Sequence, residues 1–199
     1  MWSSKIDSRY VRHDSGRYCQ GDILRDITVV TWAAEQETGA GREVKISDRE
    51  LSYAVVLTQD CDLEQDYRNR SDSGRKDNDK YLQSILLCPA YQAEQLHQGT
   101  HLAEQALTMQ SFNTDRWKSI RSNNVYRYHY LSAYPDFQIP ELVIDFKHYL
   151  TIPRDVLYDP DLPRSYLGSI SELFRENLST RFSQYLCRIG LPDLRQVAG

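Results

Sequence analysis

The chain has 199 residues and a mass of 23.2 kDa, with 40% apolar residues, 24 basic and 28 acidic side chains, and a formal net charge of −4. A chain of this size and apolar content buries the core of one domain, and 7 prolines and 9 glycines are too few for a disordered tail. No apolar run approaches the roughly 20 residues that cross a bilayer, the start MWSSKIDSRYVRHDSGRY lacks the apolar stretch of a secretory signal, and a mildly acidic balance does not favour general affinity for nucleic acid.

A cytoplasmic protein with no membrane partner is therefore expected. Cys19, Cys61, Cys88 and Cys187 are scattered with no C-x-x-C and no paired Cys/His spacing, so they read as reduced thiols, with no zinc site and no cofactor expected.

Residues 21–32 (GDILRDITVVTW) open at Gly21-Asp22 and are rich in β-branched residues, which predicts a first strand or strand pair. Residues 35–43 (EQETGAGRE) predict a loop, and 51–59 (LSYAVVLTQ) a buried strand, from a short continuous apolar run. Residues 66–80 (DYRNRSDSGRKDNDK) are almost wholly polar and predict a mobile surface loop with no part in the core. Another strand is expected at 81–89 (YLQSILLCP), stopped by Pro89.

From Ala90 the period becomes helical. Short helices are predicted over 90–98 (AYQAEQLHQ), ending at Gly99, and over 101–112 (HLAEQALTMQSF), with Leu102, Ala106 and Met109 at helical spacing. Residues 125–131 (VYRYHYL) alternate strictly and put Tyr126, Tyr128 and Tyr130 on one face of a strand. Residues 141–153 (ELVIDFKHYLTIP) read as the last strand region, one strand or two with a bend, with Asp145, Lys147 and His148 as outward-facing polar surface. Ser169 and Glu172 then form an S-x-x-E capping box. It starts a C-terminal helix with an apolar stripe of Ile170, Leu173, Phe174, Leu178, Phe182, Tyr185, Leu186 and Ile189, ended by Gly190 and Pro192. Arg175, Glu176, Arg181 and Arg188 form its wet face. These elements make one α+β domain over residues 1–199 with a helical insertion at about 90–122.

Two segments carry candidate chemistry. The first is Thr58-Gln59-Asp60-Cys61-Asp62-Leu63, just past the apolar strand. Asp60, Asp62, Glu64 and Asp66 recur every second residue, and Asp60, Asp62 and Glu64 are the oxygen donors a hard cation would use. Gln65 and Ser71 exclude an EF-hand loop, because they stand where its turn glycine and bidentate glutamate belong. Cys61 is a nucleophile if a base approaches it, and His13, His129 and His148 are free to do so. The plainer alternative is that the aspartates cap a turn or following helix while Cys61 packs inward. The second segment is the tyrosine-rich strand, where Tyr126, Arg127, Tyr128 and His129 suit either stacked bases with phosphate or a protein partner. A strand with tyrosines half-buried on one face explains the same pattern without any ligand.

Gly21-Asp22-Ile23-Leu24, the loop at 35–50, Ala54-Val55-Val56-Leu57-Thr58 and Leu86-Leu87-Cys88-Pro89 together resemble the MazF/PemK family of toxin endoribonucleases, and residues 142–153 are similar to its last barrel strand. The resemblance covers about half the chain in separated pieces. It implies an SH3-like barrel with inserted short helices and a C-terminal amphipathic helix, a toxin–antitoxin or phage-defence setting, an antitoxin-like protein partner and a homodimer. The family's cleavage chemistry implies an arginine before the second-strand proline and a hydroxyl after the third-strand proline. Here those places hold Ser52-Tyr53 and Ala90-Tyr91, with Arg42 and Arg49 upstream.

The expectation is therefore a non-nucleolytic protein-binding or regulatory relative rather than an enzyme. The alternative is an endoribonuclease or other hydrolase with a site rebuilt around Asp60, Cys61 and Asp62. Single-stranded RNA binding through Tyr126, Arg127 and Tyr128 is a third reading.

Overall fold

Apolar residues covered on both faces build the central sheet. Strands β2 (Asp22–Ala34) and β3 (Val44–Val56) pair antiparallel, with Ile23 opposite Val55 and Ala34 opposite Val44. Successive side chains of a strand point to opposite faces. Ile23 and Val55 enter one core, while Leu24, Ala54 and Val56 enter a second. A strand buried on both faces loses its polar alternation, which is why residues 54–57 read as an unbroken apolar run. The computed structural model describes residues 9–34, 44–72, 74, 78–161 and 165–188.

Strand β4 (Ser84–Gln92) pairs with β3 and divides its length between two further neighbours. Residues 84–87 pair with β7 (Leu150–Pro153), and residues 90–92 pair with β6 (Leu142–Asp145). The strand was expected to stop at Pro89 but runs through it. The missing N–H falls where β4 changes partner, a position that tolerates proline. Strand β5 (Tyr128–Leu131) pairs with β6; β8 (Ser165–Ile170) pairs with β2, and β1 (Tyr10–Val11) with β8. Among the described residues the result is one antiparallel eight-stranded sheet in the order β1-β8-β2-β3-β4-β6-β5, with β7 beside β4.

The sheet curls into a half-barrel within an α+β fold. Side chains tie its two edges together. Arg9 donates to the Ser132 hydroxyl at 3.0 Å, and the Tyr10 hydroxyl donates to the Ser132 carbonyl at 2.7 Å, just past β5. Burial pushes the Tyr10 phenol up to about 12, so it keeps the proton it donates.

Among the described residues five α-helices cover the sheet: α1 (Asp60–Arg70), α2 (Ala93–Gln98), α3 (Thr114–Arg121), α4 (Arg154–Leu157) and α5 (Glu172–Leu186). Leu178 and Phe182 of α5 close one core over Val55, Cys88 and Ile144. Leu63 of α1 and Leu157 of α4 close the second. Leu96 of α2 and Ile120 of α3 pack with Tyr128, Tyr130 and Val143 in a third. Among the described residues no helix is long and apolar enough to cross a membrane.

Several expectations are overturned. Residues 66–70 are the last turns of α1, not a mobile loop, and Asp66 is 1% exposed. Its carboxylate accepts from Arg70 at 2.8 Å, Arg154 at 2.9 Å and the Leu82 amide at 2.9 Å, so a segment that looks solvated is anchored by buried charge. Residues 101–112 hold only a 3-10 turn at Ala103–Gln105, and the helix comes later, at α3. Its cap is Asn113, whose side chain accepts from the Arg116 amide at 2.9 Å. The Ser169–Glu172 capping box does not form, because pairing with β2 draws Ser169 into β8; Ser171 is the N-cap, without a side-chain bond. Residues 35–43 and the helix end expected at Ile189, Gly190 and Pro192 lie outside the described residues.

Candidate functional site

The acidic segment becomes a helix start, and that disperses it. Asp60 and Asp62 occupy the first turn of α1, where a carboxylate is favoured by the helix dipole. On a helix, residues two apart point to nearly opposite sides. Asp60 accordingly turns to Arg17 (3.1 and 3.2 Å), to the Gln20 amide (3.2 Å) and to Arg175 (3.8 Å). Burial acts to raise its carboxyl, but the bonds from Arg17 and Gln20 outweigh it and hold the group below its ordinary value. Glu64 pairs with Arg68 on the surface, and Asp66 turns inward. The metal set Asp60, Asp62 and Glu64 therefore does not converge.

Cys61 is exposed rather than packed inward, and its polar neighbours are Gln59 at 3.7 Å and Asp62 at 3.8 Å. None of the three histidines expected to activate it is bonded to it. His13 pairs with Asp22, His148 pairs with Tyr91, and His129 is 5% exposed, where burial pushes its imidazole down to about 3. Thr58 is structural, accepting from the Leu86 amide at 2.7 Å where β3 ends.

The tyrosine strand also divides. Tyr126 precedes β5 and is 57% exposed, whereas Tyr128, His129 and Tyr130 are all buried. Arg181 of α5, expected on the wet face, donates to the carbonyls of Asn123, Val125 (2.9 Å) and Tyr128 (2.8 Å) and so clamps the turn before the strand.

Arg127 leads to the cluster that sequence reasoning missed. Its guanidinium grips Asp145 in a forked pair, Nε to Oδ1 at 2.8 Å and Nη2 to Oδ2 at 2.5 Å. Asp145 was expected on the outer face and is instead fully buried, because β6 is covered on both sides; its Oδ1 also caps the 3-10 turn Phe146–His148 through the Lys147 amide at 3.0 Å. That turn carries His148 back over the carboxylate, Nδ1 to Oδ2 at 3.6 Å, and onto the Tyr91 hydroxyl at 2.8 Å.

Tyr91 lies edge-on between two imidazoles. Its ring centroid is 4.7 Å from His101 and 5.8 Å from His148, and the Arg49 guanidinium lies against its hydroxyl. Gln105 holds Arg49 from the other side, 3.0 Å from its Nη2. Both ring nitrogens of His101 are out of water and make no hydrogen bond of ordinary geometry, with the Gln95 backbone the nearest partner, so the imidazole is under-satisfied where it sits.

Burial pushes both histidines below their ordinary value, with Asp145 opposing the shift in each, so their neutral forms are favoured. Burial pushes the Tyr91 phenol up to about 12, so its hydroxyl remains a donor at neutral pH. Two clefts meet at His101. One of about 770 Å³ is lined by His101, Phe112, Asn113, Arg116, Arg127 and Tyr128. The other, of about 300 Å³, is lined by residues including Arg49, Tyr91 and His101.

The segment carrying His101 is pinned by Gly99, which ends α2 in the left-handed region at φ 78°. The Gly99 carbonyl accepts from the Met109 amide at 3.0 Å, and a Cβ at Gly99 would stand 2.3 Å from the Met109 carbonyl. Gly99→Ala is therefore expected to cost about 1–3 kcal/mol, read as a lower urea midpoint, and to loosen His101 as well. An unchanged midpoint would show that the segment is not held this way.

The signal for this cluster was available only as scattered residues: Arg49, Tyr91, His101, Arg127, Asp145 and His148 have no local spacing that marks a site. No family model matches the chain, and no curated protein matches it significantly.

Proposed function

We propose that this chain is a MazF/PemK-like SH3-type half-barrel that cleaves single-stranded RNA by acid–base transfer at the Tyr91–His101–His148 cluster, without needing a metal. The observation that carries the reading is that His101 and His148 pack edge-on against the same tyrosine beside Arg49, with the His101 ring nitrogens short of ordinary hydrogen bonds. RNA brings its own nucleophile, the 2′-hydroxyl. The protein then has to supply only a base, an acid and cations for the phosphorane charge.

In this scheme His101 takes the 2′-hydroxyl proton as the 2′-oxygen attacks phosphorus. His148, whose charged form Asp145 supports, gives its proton to the departing 5′-oxygen. Arg49 neutralises the phosphate, and the cleft lined by Phe112, Tyr128, Arg116 and Arg127 receives the neighbouring base and phosphate. The site differs from the one expected at Asp60, Cys61 and Asp62, which the helix start of α1 disperses.

The test is digestion of a long mixed-sequence RNA by purified protein with and without EDTA, read by primer extension. Discrete cuts that persist in EDTA and end in cyclic phosphates support the reading. EDTA-sensitive cuts, or none at high protein concentration, remove it.

A second reading, a protein-binding module, is supported by the groove of about 850 Å³ between the start of α1 and α5, lined in part by Leu57, Leu86, Phe182 and Leu186. Leu173 (62% exposed) and Leu186 (51% exposed) break the expected α5 stripe by facing outward. If a partner sits there, Leu186→Asp abolishes its co-purification while leaving the melting temperature within about 1 °C, since surface changes are close to neutral. Retention of the partner by that variant ends this reading.

A further inference from the structure

We propose that His13, Cys19 and Asp22 form a binding site for a divalent cation of the zinc class. His13 and Cys19 lie on the segment between β1 and β2 and Asp22 opens β2; two left-handed glycines turn the segment, Gly16 at φ 70° and Gly21 at φ 88°. Each residue offers one ligand atom, and these atoms lie within 4.8 Å of one another, with His13 Nε2 2.9 Å from Asp22 Oδ1. Asp22 is fully buried and Cys19 is 8% exposed, so two of the three donors are already out of water.

The chemistry of the set selects the metal. An imidazole, a thiolate and a carboxylate match the nitrogen, sulfur and oxygen donors of zinc. Calcium and magnesium prefer oxygen alone. Two anionic ligands balance a dication, so the filled site adds no net charge to the interior.

Two of the donors, His13 and Asp22, are also held from behind, as metal ligands are. The Ser15 hydroxyl sits 2.9 Å from His13 Nδ1, which leaves Nε2 to face the site. Asp22 accepts from the Ser169 hydroxyl and, at 2.8 Å, from the Cys19 amide. Water would complete a four-coordinate set, because Ser15 Oγ, 3.7 Å from Cys19 Sγ, is taken up by His13 and the Arg17 carbonyl. The spacing H-x5-C-x2-D belongs to no common zinc motif, which is why cysteine spacing argued against a site.

The competing description is a metal-free His13–Asp22 ion pair that only shapes the turn. The experiment separating the two is a cobalt titration of the full chain, freed of metal by chelation and dialysis and kept reduced. The expected result is a near-ultraviolet thiolate-to-cobalt charge-transfer band with tetrahedral visible bands, displaced by zinc.

Cys19→Ser abolishes the charge-transfer band with the circular dichroism spectrum intact, and His13→Gln weakens cobalt binding by at least about tenfold. Zinc in excess also raises the melting temperature of the unaltered chain, because it binds only the folded state. No band in the unaltered chain overturns the proposal. So does a band that survives Cys19→Ser and disappears with Cys61→Ser or Cys187→Ser, the two exposed thiols, or affinity unchanged in His13→Gln.

Discussion

Under the proposed RNA cleavage, His101→Gln and His148→Gln are each expected to lower the rate by about 10²–10⁴-fold, the range one general acid or base contributes, with folding unchanged. The loss falls on kcat, because neither histidine is the principal holder of the phosphate; Arg49→Ala instead raises KM as well as lowering kcat. The pH profile follows from the direction of the shifts. Burial holds both imidazoles below the ordinary 6.5, and the mechanism requires one neutral and one protonated. Cleavage is therefore fastest on the acid side of pH 6.5. It falls at lower pH as the base takes a proton, and at higher pH as the acid loses one. An optimum near pH 8 would sink the two-histidine scheme, as would histidine variants that cleave at full rate.

Asp145→Ala removes about 3 kcal/mol of stability, at the lower end of the 3–5 kcal/mol for breaking a buried ion pair by deleting one partner. The lower end applies because the Arg127 side chain is 26% exposed and regains some water when its partner is lost. The substitution also leaves the Lys147 amide without its acceptor and unseats the turn that carries His148. Asp145→Asn keeps a neutral acceptor and costs less. Urea unfolding of both variants checks this, and a midpoint for Asp145→Ala within error of the unaltered chain would show the pair to be a surface accident. In the cleavage assay, Asp145→Asn moves the optimum to still lower pH, because the carboxylate no longer supports protonated His148.

The strands of the sheet were legible wherever local pattern and final environment agree. The strands expected at 21–32, 51–59 and 81–89 form as β2, β3 and β4, although β3 begins earlier, at Val44, and ends at Val56, and β4 runs from Ser84 to Gln92; the bend expected within 141–153 is the turn Phe146–His148 between β6 and β7. Gly99 ends α2 as its left-handed conformation requires. Where pairing or burial competes with local preference, the reading went astray. Ser169 is a good cap by composition, but a place beside β2 is worth more to it than one on α5. The polar run from Asp66 looked like loop because composition does not reveal that Asp66 has Arg70 and Arg154 waiting for it inside.

The sequence alone determined the α+β class, the strand segments around Val55 and Leu87, the C-terminal helix, and the lack of a long apolar span, because each is encoded in the spacing of neighbouring residues. It also supplied the residues of both candidate sites without showing that they meet. Only the tertiary structure decided that the alternating acids from Asp60 to Asp66 diverge around a helix, that Arg49, His101 and His148 gather around Tyr91 with Asp145 beneath His148, and that His13, Cys19 and Asp22 share a corner. The physical reason is range. Helical and strand periodicity act over a few residues, whereas the first cluster joins β3, β4, the segment after α2, and the turn after β6, which are neighbours only because β4 exchanges one pairing partner for another at Pro89.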